Sequence, residues 1–76
     1  MRLYEDLRRL MKRRRYSMTD LALILKMSPQ SLSARFTGRV SFSLDECYTI
    51  LDVLEEDPTS IGYYFPPIGI AKRMYA

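Results

Sequence analysis

Residues 17–39 read Ser17-Met18-Thr19-Asp20-Leu21-Ala22-Leu23-Ile24-Leu25-Lys26-Met27-Ser28-Pro29-Gln30-Ser31-Leu32-Ser33-Ala34-Arg35-Phe36-Thr37-Gly38-Arg39. Ser17 and Asp20 have capping-box spacing: the Ser17 hydroxyl accepts from the Asp20 N–H, and the Asp20 carboxylate reaches back to Ser17, where Glu or Gln is the usual partner. Tyr16 and Leu21 flank that cap as a hydrophobic staple. Leu21, Ala22, Ile24 and Leu25 then make a short, nearly all-apolar helix, which calls for burial on most sides. Lys26-Met27 interrupts it. Ser28 is suited to cap a second helix, with Pro29 at the first helical position, where its missing N–H costs nothing. Leu32 and Phe36 form the inward face of that helix, while Gln30, Ser31, Ser33, Ala34 and Thr37 are small or polar. Gly38 stands where a left-handed residue ends a helix. Two such helices joined by a tight turn predict a helix-turn-helix over about residues 17–38.

The flanks extend the same logic. Leu3, Leu7, Leu10 and Met11 recur at i, i+4, i+7 and i+8, the stripe of an amphipathic helix. Arg8, Arg9, Lys12, Arg13 and Arg15 occupy its other faces, and Tyr16 ends it. After the helix-turn-helix, Arg39 to Phe42 form a connecting loop. Ser43 and Glu46 form a second capping box. Leu44, Cys47, Tyr48, Leu51 and Leu54 follow as one stripe, read as core together with Tyr63, Tyr64 and Phe65. Asp57-Pro58 starts a short last helix through Ile61, Tyr64 and Phe65, which Pro66-Pro67 stops. The expected fold is all-α, a five-helix domain over residues 1–65 with a C-terminal tail at 66–76.

Composition narrows the function. Seventy-six residues make one small domain. The chain has no histidine, one cysteine and three isolated glycines, Gly38, Gly62 and Gly69. Nothing here resembles an acid–base pair, a phosphate loop, a disulfide framework or a zinc site, so no enzyme, cofactor, metal or small-molecule substrate is expected. No apolar run approaches the roughly 20 residues of a membrane span, and no signal-peptide pattern opens the sequence. A cytoplasmic protein that does not engage membranes is expected. The net charge of +3 hides a division. Residues 1–39 hold ten basic and three acidic side chains, a net of +7, whereas residues 40–76 hold two and six, a net of −4. One half suits a polyanion and the other does not.

The run from Ser17 to Arg39 resembles the phage repressor and Cro family, the lambda-repressor-like, XRE-type DNA-binding domains; the likeness covers roughly residues 3–65. It implies a small regulator, of phage or prophage repressor type, that binds a palindromic operator in double-stranded DNA as a homodimer. It places the second helix of the motif in the major groove. Base contacts then fall to Gln30, whose amide matches the adenine edge, and to Ser28, Pro29, Ser31, Ser33 and Ala34. Phosphate contacts fall to Ser17, Met18, Thr19, Arg35, Thr37, Arg39, Ser41 and Ser43, with Lys12, Arg13, Arg14 and Arg15 adding long-range attraction. Dimer contacts are expected from Ile61, Tyr64, Phe65, Ile68 and Ile70. Two positions depart from the family. Lys26 stands where glycine is common in the turn, and Met11 and Phe36 stand where an Arg–Glu pair is common, which predicts a sulfur–aromatic contact. The alternative reading is an antitoxin-like protein-interaction module on the same scaffold, with residues 66–76 as its partner-binding segment.

Overall fold

The computed structural model describes residues 3–66. It contains α1 (Glu5–Arg13), α2 (Met18–Ile24), α3 (Pro29–Phe36), α4 (Leu44–Val53) and α5 (Ile61–Tyr64). A single 3₁₀ turn at Pro58–Ser60 runs directly into α5. No strand occurs among the described residues. The all-α, five-helix architecture read from the sequence is therefore the one observed.

Side chains start the helices where the sequence placed caps. The Ser17 hydroxyl accepts from the Asp20 N–H at 3.1 Å, and the Asp20 carboxylate accepts from the Ser17 N–H at 3.0 Å. Ser43 and Glu46 repeat the box at the start of α4, at 3.1 and 3.0 Å. Ser28 caps α3 by accepting from the Ser31 N–H at 3.1 Å. Asp57 accepts from the Thr59 N–H at 2.9 Å and so starts the 3₁₀ turn. Each contact satisfies one of the donors that a helix start leaves free.

The helix ends share one device that the sequence signals only once. At each of α1 to α4 a left-handed residue follows the last turn, and two N–H groups fold back onto its carbonyls, the Schellman pattern. The left-handed residues are Arg15 (φ 63°), Lys26 (57°), Gly38 (87°) and Glu55 (59°). The longer return bonds run from Tyr16 to Met11, Met27 to Ala22, Arg39 to Ala34 and Glu56 to Leu51, at 2.8–3.0 Å. Only one of the four positions is glycine. Lys26 thus holds the turn between α2 and α3 in a conformation costing about 1 kcal/mol for an L-residue. Arg15 does the same at the end of α1, which stops at Arg13, short of Tyr16.

The core collects Leu7, Leu10 and Met11 from α1, Leu21 and Ala22 from α2, and Leu32 and Phe36 from α3. Cys47, Ile50, Leu51 and Leu54 join them from α4 and its end. Its centre is a four-ring cluster. Tyr4 meets Phe36, Phe42 and Phe65 edge-to-face, with centroids 5.3–5.9 Å apart, and Phe42 meets Phe36 and Phe65 at 5.5 and 5.2 Å. These are preferred aromatic geometries. Phe42, read as loop, is therefore a core residue that anchors the segment between α3 and α4.

Two stripes need correction. Leu23 is 73% exposed and Ile24 39% exposed, so α2 is buried along Leu21 and Ala22 only. With about 100° between successive residues, 23 and 24 rotate away once 21 and 22 face inward. On α4 the core face is Cys47, Ile50, Leu51 and Leu54, while Leu44 and Tyr48 lie at its exposed border. Met11 and Phe36 are both buried as expected. The group seated over the Phe36 ring is the Arg8 guanidinium, 4.9 Å from the centroid, a cation–π contact.

Candidate nucleic-acid interface

Helical arithmetic orients α3. With Leu32 and Phe36 fully buried, the residues turned most nearly away from the core are Ala34, Gln30, Ser31 and Thr37, while Ser33 lies on the flank of that face. Gln30, Ser33 and Thr37 are exposed and Ala34 is half-buried. Among the described residues, no hydrogen bond engages the Gln30 amide, which leaves its donor and acceptor free. The Thr37 hydroxyl donates to the Ala34 carbonyl at 3.1 Å, so only its lone pairs remain available. Pro29 is exposed at the first helical position.

The two serines at the start of α3 are bound to each other. Ser28 donates its hydroxyl to Ser31 at 3.0 Å while it accepts from the Ser31 N–H. Ser28 is therefore committed to the cap, and Ser31 keeps its hydroxyl proton free. Capping likewise occupies the N–H groups of Ser17 and Ser43, each held by a carboxylate three residues on. Their hydroxyl protons remain free to donate. Thr19 is exposed, and Met18 is half-buried against the core. Arg39 and Ser41 are exposed on the segment after α3.

Arg35 is not a free cation. Its guanidinium donates to Glu46 through Nε at 2.9 Å and through NH2 at 3.3 Å, and its third nitrogen donates to the Ser31 carbonyl at 2.9 Å. Its side chain is only 18% exposed. The forked ion pair ties α3 to the start of α4, so a phosphate contact by Arg35 would have to break it. Burial raises the Glu46 carboxyl, but the Arg35 hydrogen bond, the Ser43 N–H and the Arg35 charge together hold it below the usual carboxylate range. This link was not legible from spacing, because i to i+11 spans a loop of unknown path.

The basic run at the end of α1 is divided in the same way. Arg14 pairs with Glu56 at 3.3 Å and so links the ends of α1 and α4. Lys12, Arg13 and Arg15 are exposed. Of the residues expected at a dimer contact, Tyr64 and Phe65 are core side chains of the single chain, 7% and 0% exposed, and Ile61 is half-buried against the same core. Phe65 cannot face a second subunit while the core stays closed, and Tyr64 reaches the surface only by its edge. Ile68, Ile70 and the rest of the tail lie outside the described residues.

Two short helices joined by a four-residue turn, each resting one side on the core, preceded by α1 and followed by α4, now stand as one unit. The helix-turn-helix family model of XRE-type, lambda-repressor and Cro-like domains matches residues 7–61. The chain belongs to this family. No curated protein and no solved structure gives a significant match. The match runs from the buried Leu7 of α1 to the first residue of α5, so it covers the core as well as the motif. The protein is thus a DNA-binding regulator of the helix-turn-helix class. No described helix is long and apolar enough to cross a membrane, and no described cluster of His, Cys, Asp or Glu could hold a metal ion.

Proposed function

We propose that the chain is a small repressor of phage or prophage type that binds a palindromic operator as a homodimer. The observation that carries this reading is the outward face of α3. Gln30 projects a free amide from its first turn, where a recognition helix reaches base edges. Its donor and acceptor match adenine N7 and N6. Ser33, Ala34 and Pro29 supply a hydroxyl and apolar contact, the latter suited to a thymine methyl. Ser31 donates its remaining proton.

Phosphates are held by Arg39, Ser41 and the Ser43 hydroxyl after α3, and by Ser17, Thr19 and the backbone of Met18 at the start of α2. Lys12, Arg13 and Arg15 add attraction that salt screens. Arg35 is removed from this set, since it holds Glu46. Two-fold pairing is supported by size. The domain measures 34 × 25 × 25 Å, so two copies touching end to end along the long axis would have centres at about the 34 Å that separates half-sites one turn apart.

Selection of bound sites from random duplexes, at two salt concentrations, tests the reading. An enriched palindrome supports it, and sequence-blind binding at both salts rejects it. Gln30→Ala should relax preference at one position per half-site, at a cost of roughly 1–3 kcal/mol. An unchanged selected motif would show that Gln30 does not read bases.

A further inference from the structure

Three cations of α1 do not stand alone on a solvated face. Arg9, Lys12 and Arg13 border an open groove of about 590 Å³ whose opposite wall is α5, with Tyr63 and Tyr64, and whose remaining lining residue is Asp6. Positions 9, 12 and 13 follow one another on one side of a helix, because residues three and four apart are neighbours there. Among the described residues lining the groove, Asp6 is the only carboxylate. Arg9 lies 3.8 Å from both Asp6 and Glu5, loose and solvent-exposed contacts, so Lys12 and Arg13 carry most of the groove's excess of positive charge.

The tyrosine wall is built in two parts. Tyr64 is buried, and its hydroxyl donates to Glu56 at 3.5 Å. Burial, then the Glu56 charge, raise its phenol above the usual range, with Arg13 pulling the other way, so the ring stays neutral. Tyr63 meets Tyr64 edge-to-face with centroids 4.9 Å apart, yet Tyr63 is 61% exposed. A tyrosine braced by its neighbour and still this exposed offers a flat ring to a ligand. Core packing does not require it there: the aromatic cluster is complete with Tyr4, Phe36, Phe42 and Phe65.

We propose that this groove binds a nucleotide: a planar base stacks on Tyr63, and a polyphosphate chain lies along Arg9, Lys12 and Arg13. A flat π system and several negative charges on one small molecule match the two walls, and the volume falls within the range of small-ligand sites. Asp6 is placed to accept from sugar hydroxyls. The site shares no residue with the exposed face of α3; Lys12 and Arg13 also belong to the set that attracts DNA at long range, but base reading does not depend on them, so failure of the nucleotide site would leave the operator reading untouched.

Isothermal titration of the whole chain with ATP, adenosine and inorganic triphosphate tests this. ATP should bind at least about fivefold tighter than inorganic triphosphate, the smallest gain expected from stacking one base, and adenosine should bind far more weakly than either. Tyr63→Leu keeps apolar bulk and should bring ATP down to the affinity of inorganic triphosphate. Arg9→Ala with Lys12→Ala should weaken both phosphate ligands and leave adenosine unchanged. Equal binding of ATP and inorganic triphosphate, or ATP binding indifferent to Tyr63→Leu, would reduce the groove to a plain anion-attracting surface and overturn the proposal. Absence of ATP binding would overturn it too. Thermal melts of each variant, matching the unsubstituted chain, exclude unfolding as the cause of a loss.

Discussion

Replacing Glu55 with glycine should make this protein more stable, although Glu55 touches little. Glu55 is exposed and sits at φ 59° just past the end of α4. Its N–H bonds the Asp52 carbonyl at 3.1 Å, and the next N–H bonds Leu51 at 2.8 Å, so the left-handed turn closes the helix and cannot relax without losing both. Two terms oppose the native residue. The left-handed conformation costs an L-residue about 1 kcal/mol or somewhat more, and glycine adopts it freely. A negative charge at a helix C-terminus costs a further few tenths to about 1 kcal/mol. The extra freedom of glycine in the unfolded chain takes back part of this. The net gain should be about 1 kcal/mol, which raises Tm by about 4–8 °C for a domain this size. Glu55→Ala separates the terms: it removes the charge but keeps the strained φ, so it should gain only the smaller part. Lys26→Gly does the converse, relieving the strain at φ 57° while giving up a cation at the end of α2. Calorimetric melts should therefore rank Glu55→Gly above both. If Glu55→Ala equals or exceeds Glu55→Gly, backbone strain is not the cost, and the argument fails.

Arg35→Ala should cost about 1.5–3 kcal/mol in chemical denaturation, because it removes the two charge-assisted hydrogen bonds to Glu46 that join α3 to α4. A loss of DNA affinity with full stability would instead return Arg35 to the interface. Acid should destabilise the fold. Asp20 and Asp57 are held below the usual carboxylate range by the backbone N–H groups they cap, and Glu46 by Arg35 and Ser43 against its burial. A depressed folded pKa contributes stability that is present above the unfolded value and lost as pH falls through the folded one. Stability should thus decline below about pH 5, and Glu46→Gln should flatten that decline. An identical acid slope in Glu46→Gln would show that this carboxylate carries none of it. Cys47 is fully buried, and burial followed by the nearby Glu46 charge pushes its thiol up to about 12. A thiol reagent should modify it only as fast as the chain unfolds. Rapid modification under native conditions would contradict the packing.

The capping serines, the helix order and the helix-turn-helix at residues 17–38 are all local features. Each follows from side chains within three or four residues, a span over which spacing alone sets the contact. The same reasoning set Gln30, Ser31, Ser33, Ala34 and Thr37 apart from the inward Leu32 and Phe36, and none of the five is buried. It misjudged groups whose partners lie far along the chain. Arg35 counted as free because Glu46 lies across a loop, and Phe42 counted as loop because its partners Tyr4, Phe36 and Phe65 come from three other segments. The apolar composition of Leu21, Ala22, Ile24 and Leu25 calls for burial on most sides, yet Ile24 is exposed, because a seven-residue helix resting on one side buries only the side it rests on.

The left-handed residues divide along the same line. Gly38 announces a helix end by its chemistry, since only glycine takes that conformation without cost. Arg15, Lys26 and Glu55 announce nothing, and packing imposes the same turn on them at each helix end. Sequence by itself determined where the helices begin and which family they form, because capping and periodicity are short-range. Only the tertiary structure decided which cations stay free, which tyrosine faces solvent and which turns bear strain, because those depend on what distant segments bring alongside.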